Sequence, residues 1–153
     1  MVGWIISILL PLAVGGLAGF LSMNSMAVYQ DLVQPALAPP SWLFGVVWTI
    51  LYILMGLASY LVFRSDAPPQ EKKTALTLYA VQLLLNFCWP LLFFRMQNYL
   101  GAFFLLVLLI LVLLATISRF ASISKPAAWM LVPYLLWTLF AGYLNFSIWL
   151  LNR

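Results

Sequence analysis

The sequence of 153 residues contains no histidine, one cysteine and only three acidic residues. The absence of histidine excludes a histidine-ligated haem, a catalytic triad that uses histidine and a histidine proton relay. The single cysteine, Cys88, excludes an internal disulfide and a metal site built from several cysteines. Glycine-rich phosphate loops and nucleotide motifs are missing as well. We therefore expect no metal site, no required cofactor, no nucleic-acid partner and no certain catalytic residue.

Charge is also scarce, because 7% of the residues are charged while 66% are hydrophobic, with a mean hydropathy of +1.10. Such a chain lacks the polar residues that cover the surface of a soluble domain, so its solvent must be the lipid bilayer. Five long uncharged stretches each supply the roughly 20 apolar residues that a spanning helix needs. No Lys or Arg precedes the first stretch, which favours a retained helix over a cleaved signal peptide.

We predict an all-α integral membrane protein, a bundle of five transmembrane helices that forms a single domain, residues 1–153. The helices are predicted at about 3–23, 42–63, 74–94, 99–120 and 127–151, joined by a long first loop, 24–41, and by a charged turn from Arg64 to Lys73. Most of the basic residues fall on one side of this arrangement: Arg64, Lys72, Lys73, Arg119 and Lys125. The positive-inside rule then places the N-terminus in the cytoplasm, and the proline loop and the C-terminus outside.

Helix one contains Gly15 and Gly19, which form a GxxxG spacing. In an apolar span this spacing lets another backbone approach closely. Ordinary packing within the bundle is the simpler interpretation, and a homodimer contact is the alternative.

The first loop cannot continue as a lipid-facing helix, because it carries Asn, Gln, Asp and three prolines. Long connections in compact folds are often lids or binding loops. We interpret the loop as a lid, with Tyr29, Pro35, Pro39 and Pro40 as its candidate residues.

Helices three and five carry polar and aromatic side chains at helical spacing. On helix three the stripe is Gln82, Asn86, Trp89 and Phe93; on helix five it is Tyr134, Trp137, Ala141, Leu144, Asn145 and Ile148. An amide is costly in hydrocarbon unless it finds partners, so both stripes should point into the bundle. Pro90 is expected to bend helix three beside Asn86.

Helix four, almost entirely Leu, Val, Ile and Phe, is expected to be a lipid-facing support.

Together with helix two, these stripes predict an apolar pocket with a few polar groups, suited to a flat hydrophobic ligand. The candidate ligand-binding residues are Trp42, Phe44, Trp48, Tyr52, Gln82, Asn86, Trp89, Phe93, Trp137, Ala141, Leu144 and Asn145. Tryptophan also populates membrane interfaces, and the positions near the span ends favour an anchor role for Trp4, Trp42, Trp129 and Trp149. The deeper positions of Trp48, Trp89 and Trp137 favour the pocket. No charged residue lies near the middle of a span, which argues against an ion-driven pump.

Three segments resemble the translocator protein family, also called tryptophan-rich sensory proteins or peripheral-type benzodiazepine receptors. They read YQDLVQPALAPPSWLFGVVWTILYILMG from Tyr29, QLLLNFCWPLLFF from Gln82 and PYLLWTLFAGYLNFSIWLLN from Pro133. The resemblance covers all five spans and points to a bacterial member in the cell membrane. It implies a five-helix bundle, usually dimeric, whose cavity under the first loop binds porphyrins, cholesterol-like lipids and benzodiazepine-type ligands.

The resemblance assigns the pocket to Trp48, Tyr52, Asn86, Trp89, Trp137, Ala141, Leu144 and Asn145. It also implicates Trp48 and Trp137 in light-dependent breakdown of protoporphyrin by some bacterial members. The chain departs from the family at Val28 and Gln34 in the first loop, where the family often has Trp and Lys. The cholesterol pattern at the end of helix five is broken, because Phe146 and Leu150 occupy its positions.

These features predict a receptor or sensor for porphyrin-type ligands. Photodegradation of the bound porphyrin, transport of a tetrapyrrole or lipid, and a helical interaction partner that acts through its GxxxG face are the alternatives.

Overall fold

The computed structural model of the protein describes residues 3–22 and 41–152, and within these ranges the chain is helical and contains no β-strand. The described helices are α1 (Gly3–Ser22), α2 (Ser41–Phe63), α3 (Pro69–Pro90), α4 (Tyr99–Ile123) and α5 (Lys125–Asn152). Helices α2 to α5 are long and apolar enough to cross a membrane, and the apolar part of α1, Ile5–Ala18, is shorter. The predicted five-helix membrane bundle is confirmed, and the chain is an integral membrane protein.

The helices form a ring in the order α1, α2, α5, α4, α3, and the contact between α3 and α1 closes the ring. Helices α1 and α2 approach closely at two glycines. A Cβ on Gly56 would lie 2.5 Å from the carbonyl oxygen of Ser7, and a Cβ on Gly15 would overlap the ring of Tyr52. The missing side chains therefore allow α1 to lie against α2, as small residues do in other membrane bundles.

The prediction that the chain from Arg64 to Lys73 forms a turn is wrong beyond Pro68, because α3 begins at Pro69. A proline at the first helical position has the right φ and lacks only an N–H that would be unpaired there. Glu71 lies in the first turn, where a negative charge is favourable. The Lys72 ammonium group donates to the carbonyl of Phe63 at 3.0 Å and so ties this turn to the end of α2. Glu71, Lys72 and Lys73 therefore belong to the start of α3, whereas Arg64 and Asp66 lie between the two helices.

Helix α3 continues beyond Pro90 as a π-helical turn, Leu91–Arg95, whose wider hydrogen bonding joins the Met96 N–H to the Leu91 carbonyl at 2.8 Å. The neighbouring residues Phe93 and Phe94 of this turn are both buried. Gln97 then adopts a positive φ of 54°, which reverses the chain toward α4.

Helix α4 presents one buried stripe to the other helices of the bundle: Ala102, Leu106, Leu109, Leu113, Thr116 and Phe120. Its opposite face, which includes Phe104 and Leu111, is exposed and apolar, as a lipid-facing surface must be. Only Ser124 separates α4 from α5, so these two helices are closely tied neighbours, whereas the sequence predicted a gap from residue 120 to 127. Ser124 has an extended backbone, with φ −151° and ψ 109°.

Candidate functional site

The structure brings the predicted stripes of α2, α3 and α5 together inside the ring. The buried members are Phe44, Tyr52, Gln82, Asn86, Trp89, Phe93, Ala141, Leu144 and Asn145. Trp48 and Trp137 are half-buried and contact both halves of the hydrophobic core. Trp42 is 68% exposed at the start of α2, a position that fits an interfacial anchor. The candidate site is therefore centred on Trp48 and Trp137.

Five rings form what we call the aromatic cluster: Phe44, Trp48, Tyr52, Tyr134 and Trp137. The Trp48 ring stacks on Tyr52 with a centroid distance of 5.5 Å and meets Trp137 edge to face at 6.4 Å. Phe44 meets Trp137 at 5.9 Å, and Tyr134 meets Trp48 at 6.1 Å. Edge-to-face and stacked rings are the favourable arrangements of aromatic side chains. The cluster thus forms a continuous aromatic wall between α2 and α5.

Behind this wall lies the central network, a chain of hydrogen bonds among Tyr52, Asn86, Tyr134 and Gln82. The Tyr52 hydroxyl donates to Asn86 Oδ1 at 2.6 Å, and Asn86 Nδ2 donates to the Tyr134 hydroxyl at 2.7 Å. The Tyr134 hydroxyl in turn donates to Gln82 Oε1 at 2.7 Å. These bonds join α2, α3 and α5. They satisfy amide groups that would otherwise be costly in a membrane interior.

A second group of hydrogen bonds holds α3, α4 and α5 together around Asn145. The Trp89 indole N–H donates to Asn145 Oδ1 at 3.0 Å, and Asn145 Nδ2 donates to the backbone carbonyl of Tyr99 at 2.7 Å. Asn145 is completely buried, and both of its amide atoms are used within the protein.

Both asparagines of the predicted site therefore have protein partners for oxygen and nitrogen alike. Among the described residues, two buried donors of the site have no hydrogen-bond partner: the Trp137 indole N–H and the Gln82 side-chain NH₂. A buried donor without a partner costs about 1 to 3 kcal/mol. A ligand with a hydrogen-bond acceptor would recover that energy at Trp137, which is the one of the two that lies in the aromatic cluster.

Tyr134 lies on the predicted stripe of helix five but is not among the candidate binding residues. Its hydroxyl is nevertheless the central member of the network. The spacing does predict that Tyr134 lies near the site, because it precedes Trp137 by three positions and so lies on the same helical face. The role of the Tyr99 backbone carbonyl as an acceptor could not be predicted from residue type, because every residue has a backbone carbonyl.

Two further predictions concern α1 and the first loop. Gly15 packs inside the chain against Tyr52, as the simpler interpretation of the GxxxG spacing expected, and a homodimer contact stays a prediction. The candidate lid residues Tyr29, Pro35, Pro39 and Pro40 lie outside the described residues.

Comparison with known proteins gives one consistent result. The chain matches the TspO/MBR family over residues 7–150. The tryptophan-rich protein TspO of Chlorobaculum tepidum is 46% identical over 124 residues, which cover 81% of this chain and 78% of that protein. The tryptophan-rich protein TspO of Archaeoglobus fulgidus is 39% identical over 147 residues, 95% of this chain and 94% of that one. The human translocator protein is 37% identical over 131 residues, 85% of this chain and 78% of that one.

Proposed function

The chain belongs to the TspO/MBR family, and from this membership we propose that it is a membrane receptor or sensor whose ligand is a flat, hydrophobic molecule of the porphyrin type. The ligand lies against the aromatic cluster, with Trp48 and Trp137 as its main contacts. Benzodiazepine-type molecules share the flat apolar shape and are expected to compete for the same place.

One observation carries this proposal: Trp137 combines an aromatic face with a buried N–H that no described residue accepts. A stacked ring system gains contact area on the indole faces, and an acceptor atom on the same ligand gains a hydrogen bond. Trp48 and Trp137 are half-buried, whereas Trp89 is enclosed and its N–H is taken by Asn145. The support for a ligand contact is therefore strongest at Trp137 and at the neighbouring Trp48.

The two asparagines have a different role in the proposal. Asn86 and Asn145 fix the relative positions of α2, α3, α4 and α5 through hydrogen bonds that use both amide atoms. A site whose walls are held in this way is preorganised, which reduces the free energy that ordering costs on binding. We propose that Asn86 and Asn145 position the aromatic wall and that the loop of residues 24–41 covers it.

The proposal is tested by titrating the detergent-solubilised protein with protoporphyrin IX while tryptophan fluorescence is followed. We expect saturable quenching that is weakened in Trp48→Phe and in Trp137→Phe. Trp129→Phe is the matched control, because Trp129 is 71% exposed at the start of α5, outside the aromatic cluster. Absence of saturable quenching, or equal affinity in all three variants, would refute the site.

A second candidate function, light-dependent breakdown of the bound porphyrin, is favoured by the 6.4 Å distance between the Trp48 and Trp137 rings. Illuminated porphyrin sensitises oxygen, and two adjacent indoles can react with the species formed. The Soret absorbance should then decay faster in light with the protein than in protein-free micelles. Equal decay in both samples would exclude this activity.

A further inference from the structure

The surface between α2 and α5 contains an apolar groove of about 430 Å³. Its lining consists of Val47, Ile50, Leu51, Pro133, Leu136, Trp137 and Phe140. Ile50 is 54% exposed and Leu136 is 61% exposed, so the groove opens on the outer surface of the ring, where lipid surrounds a membrane protein. A volume of this size falls within the roughly 300 to 1,000 Å³ of small-molecule sites.

Trp137 belongs both to this groove and to the aromatic cluster. From the groove side it is part of the lining, and from the inner side its ring meets Phe44 at 5.9 Å and Trp48 at 6.4 Å. The indole of Trp137 therefore separates the outer groove from the inner site.

The Trp137 side chain is held by packing alone among the described residues. Its N–H is enclosed but has no hydrogen-bond partner, whereas the N–H of Trp89 is bound to Asn145. Pro133, one turn earlier in α5, has no N–H and cannot donate to the carbonyl four residues before it. One backbone hydrogen bond is therefore missing from the turn of α5 that precedes Trp137, and among the described residues rotation of the indole breaks no hydrogen bond of that side chain.

We propose that this groove is a lateral entrance for the ligand and that the Trp137 indole is its gate. The ligand class is a planar molecule with a large apolar ring face that is dissolved in the bilayer, because the described residues that line the groove are all apolar. The molecule occupies the groove first and reaches the aromatic cluster when the indole turns aside. The inference rests on the proposed function, since it describes the route to the same site.

The experiment uses the full chain in phosphatidylcholine nanodiscs, with protoporphyrin IX added from phosphatidylcholine vesicles and tryptophan quenching followed by stopped flow. Ile50→Phe and Leu136→Phe fill the groove from α2 and from α5. Leu84→Phe is the matched control, because Leu84 is 62% exposed on α3 and lies outside this groove. Circular dichroism verifies that each variant is folded.

We expect both groove variants to lower the association and dissociation rates by the same factor, on the order of tenfold, with an unchanged Kd. Equal factors follow because an obstructed route raises one barrier that is crossed in both directions. The opposite variant, Phe140→Ala, widens the groove and should raise both rates, a gain that misfolding does not produce. The observed association rate should also increase with the molar ratio of porphyrin to lipid.

The possible outcomes separate the two proposals. If the wild-type protein shows no saturable binding, the proposed function fails and the entrance fails with it. If it binds but the groove variants keep wild-type rates, or Leu84→Phe slows binding equally, the entrance is refuted while the proposed function stands. A changed Kd with an unchanged association rate would make the groove part of the binding site and would also overturn the entrance.

Discussion

Replacing Gly15 by alanine tests how α1 supports the site. The added Cβ would overlap the ring of Tyr52, a member of both the aromatic cluster and the central network. The ring must therefore move, and its hydroxyl then loses the 2.6 Å hydrogen bond to Asn86. One methyl group on α1 should thus disturb the polar centre of the bundle.

The size of the effect follows from three contributions. Alanine in place of glycine favours a helix interior by about 1 kcal/mol. Overpacking a core costs about 1 to 3 kcal/mol, and an unpaired Asn86 oxygen costs about 1 to 3 kcal/mol. Gly15→Ala should therefore lower the free energy of unfolding by about 1 to 5 kcal/mol.

Gly16→Ala provides the matched control, because a Cβ on the neighbouring Gly16 meets no atom within 4 Å. It keeps the helix-propensity gain and should be neutral or slightly stabilising. Thermal unfolding in detergent, followed by circular dichroism, compares both variants with the wild type. In a Tyr52→Leu background the cost of Gly15→Ala should largely disappear, as a double-mutant cycle would show.

Equal stability of Gly15→Ala and Gly16→Ala would refute the packing of α1 on Tyr52. A second result would also contradict it. If Gly15→Ala leaves the unfolding temperature unchanged but lowers the dimer fraction in size exclusion, the important contact of Gly15 is with a second copy of the chain.

Three further predictions use the same unfolding measurement, and the last of them also uses the porphyrin titration. Gly56→Ala should be strongly destabilising, because its Cβ would lie 2.5 Å from a backbone oxygen of α1 that cannot rotate away, whereas Gly45→Ala has nothing within 4 Å and should be tolerated; equal stability would contradict the contact. Tyr134→Phe should cost about 2 to 6 kcal/mol, because it leaves two buried amide atoms, Asn86 Nδ2 and Gln82 Oε1, without a partner, and a neutral result would contradict the central network. Trp89→Phe should lower stability through its lost hydrogen bond, whereas Trp137→Phe should lower porphyrin affinity with a smaller effect on stability; the reverse order would refute these assignments.

Much of the site could be predicted because it depends on periodicity. Gln82, Asn86 and Trp89 lie on one face of α3 by their spacing alone, and an amide in an apolar helix must turn toward protein. Residue type also predicted which helices carry the polar groups. The position of Trp42 stayed open between ligand contact and anchor, since an aromatic residue near a span end suits both roles.

Other features could not be predicted because they depend on how helices meet. The partners of Asn86 come from α2 and α5, and no spacing along α3 identifies them. The π-helical turn after Pro90 could not be predicted either, because a proline indicates a disturbed helix without specifying the hydrogen-bond pattern that follows it. Charge between Arg64 and Lys73 predicts a turn, but charged residues are also common at helix ends, so charge alone does not locate the start of α3 at Pro69.

Composition by itself determined that this chain is a membrane protein of five helices, because a sequence with 7% charged residues cannot cover a soluble fold and its charges separate five apolar spans. Helical periodicity determined which faces turn inward. The packing of the helices against one another determines which of the described polar groups satisfy one another. Among the described residues, hydrogen bonds between helices use both amide atoms of Asn86 and Asn145 and provide no acceptor for the indole N–H of Trp137. These pairings depend on distances of a few ångströms across the bundle, which no order of residues along one helix specifies.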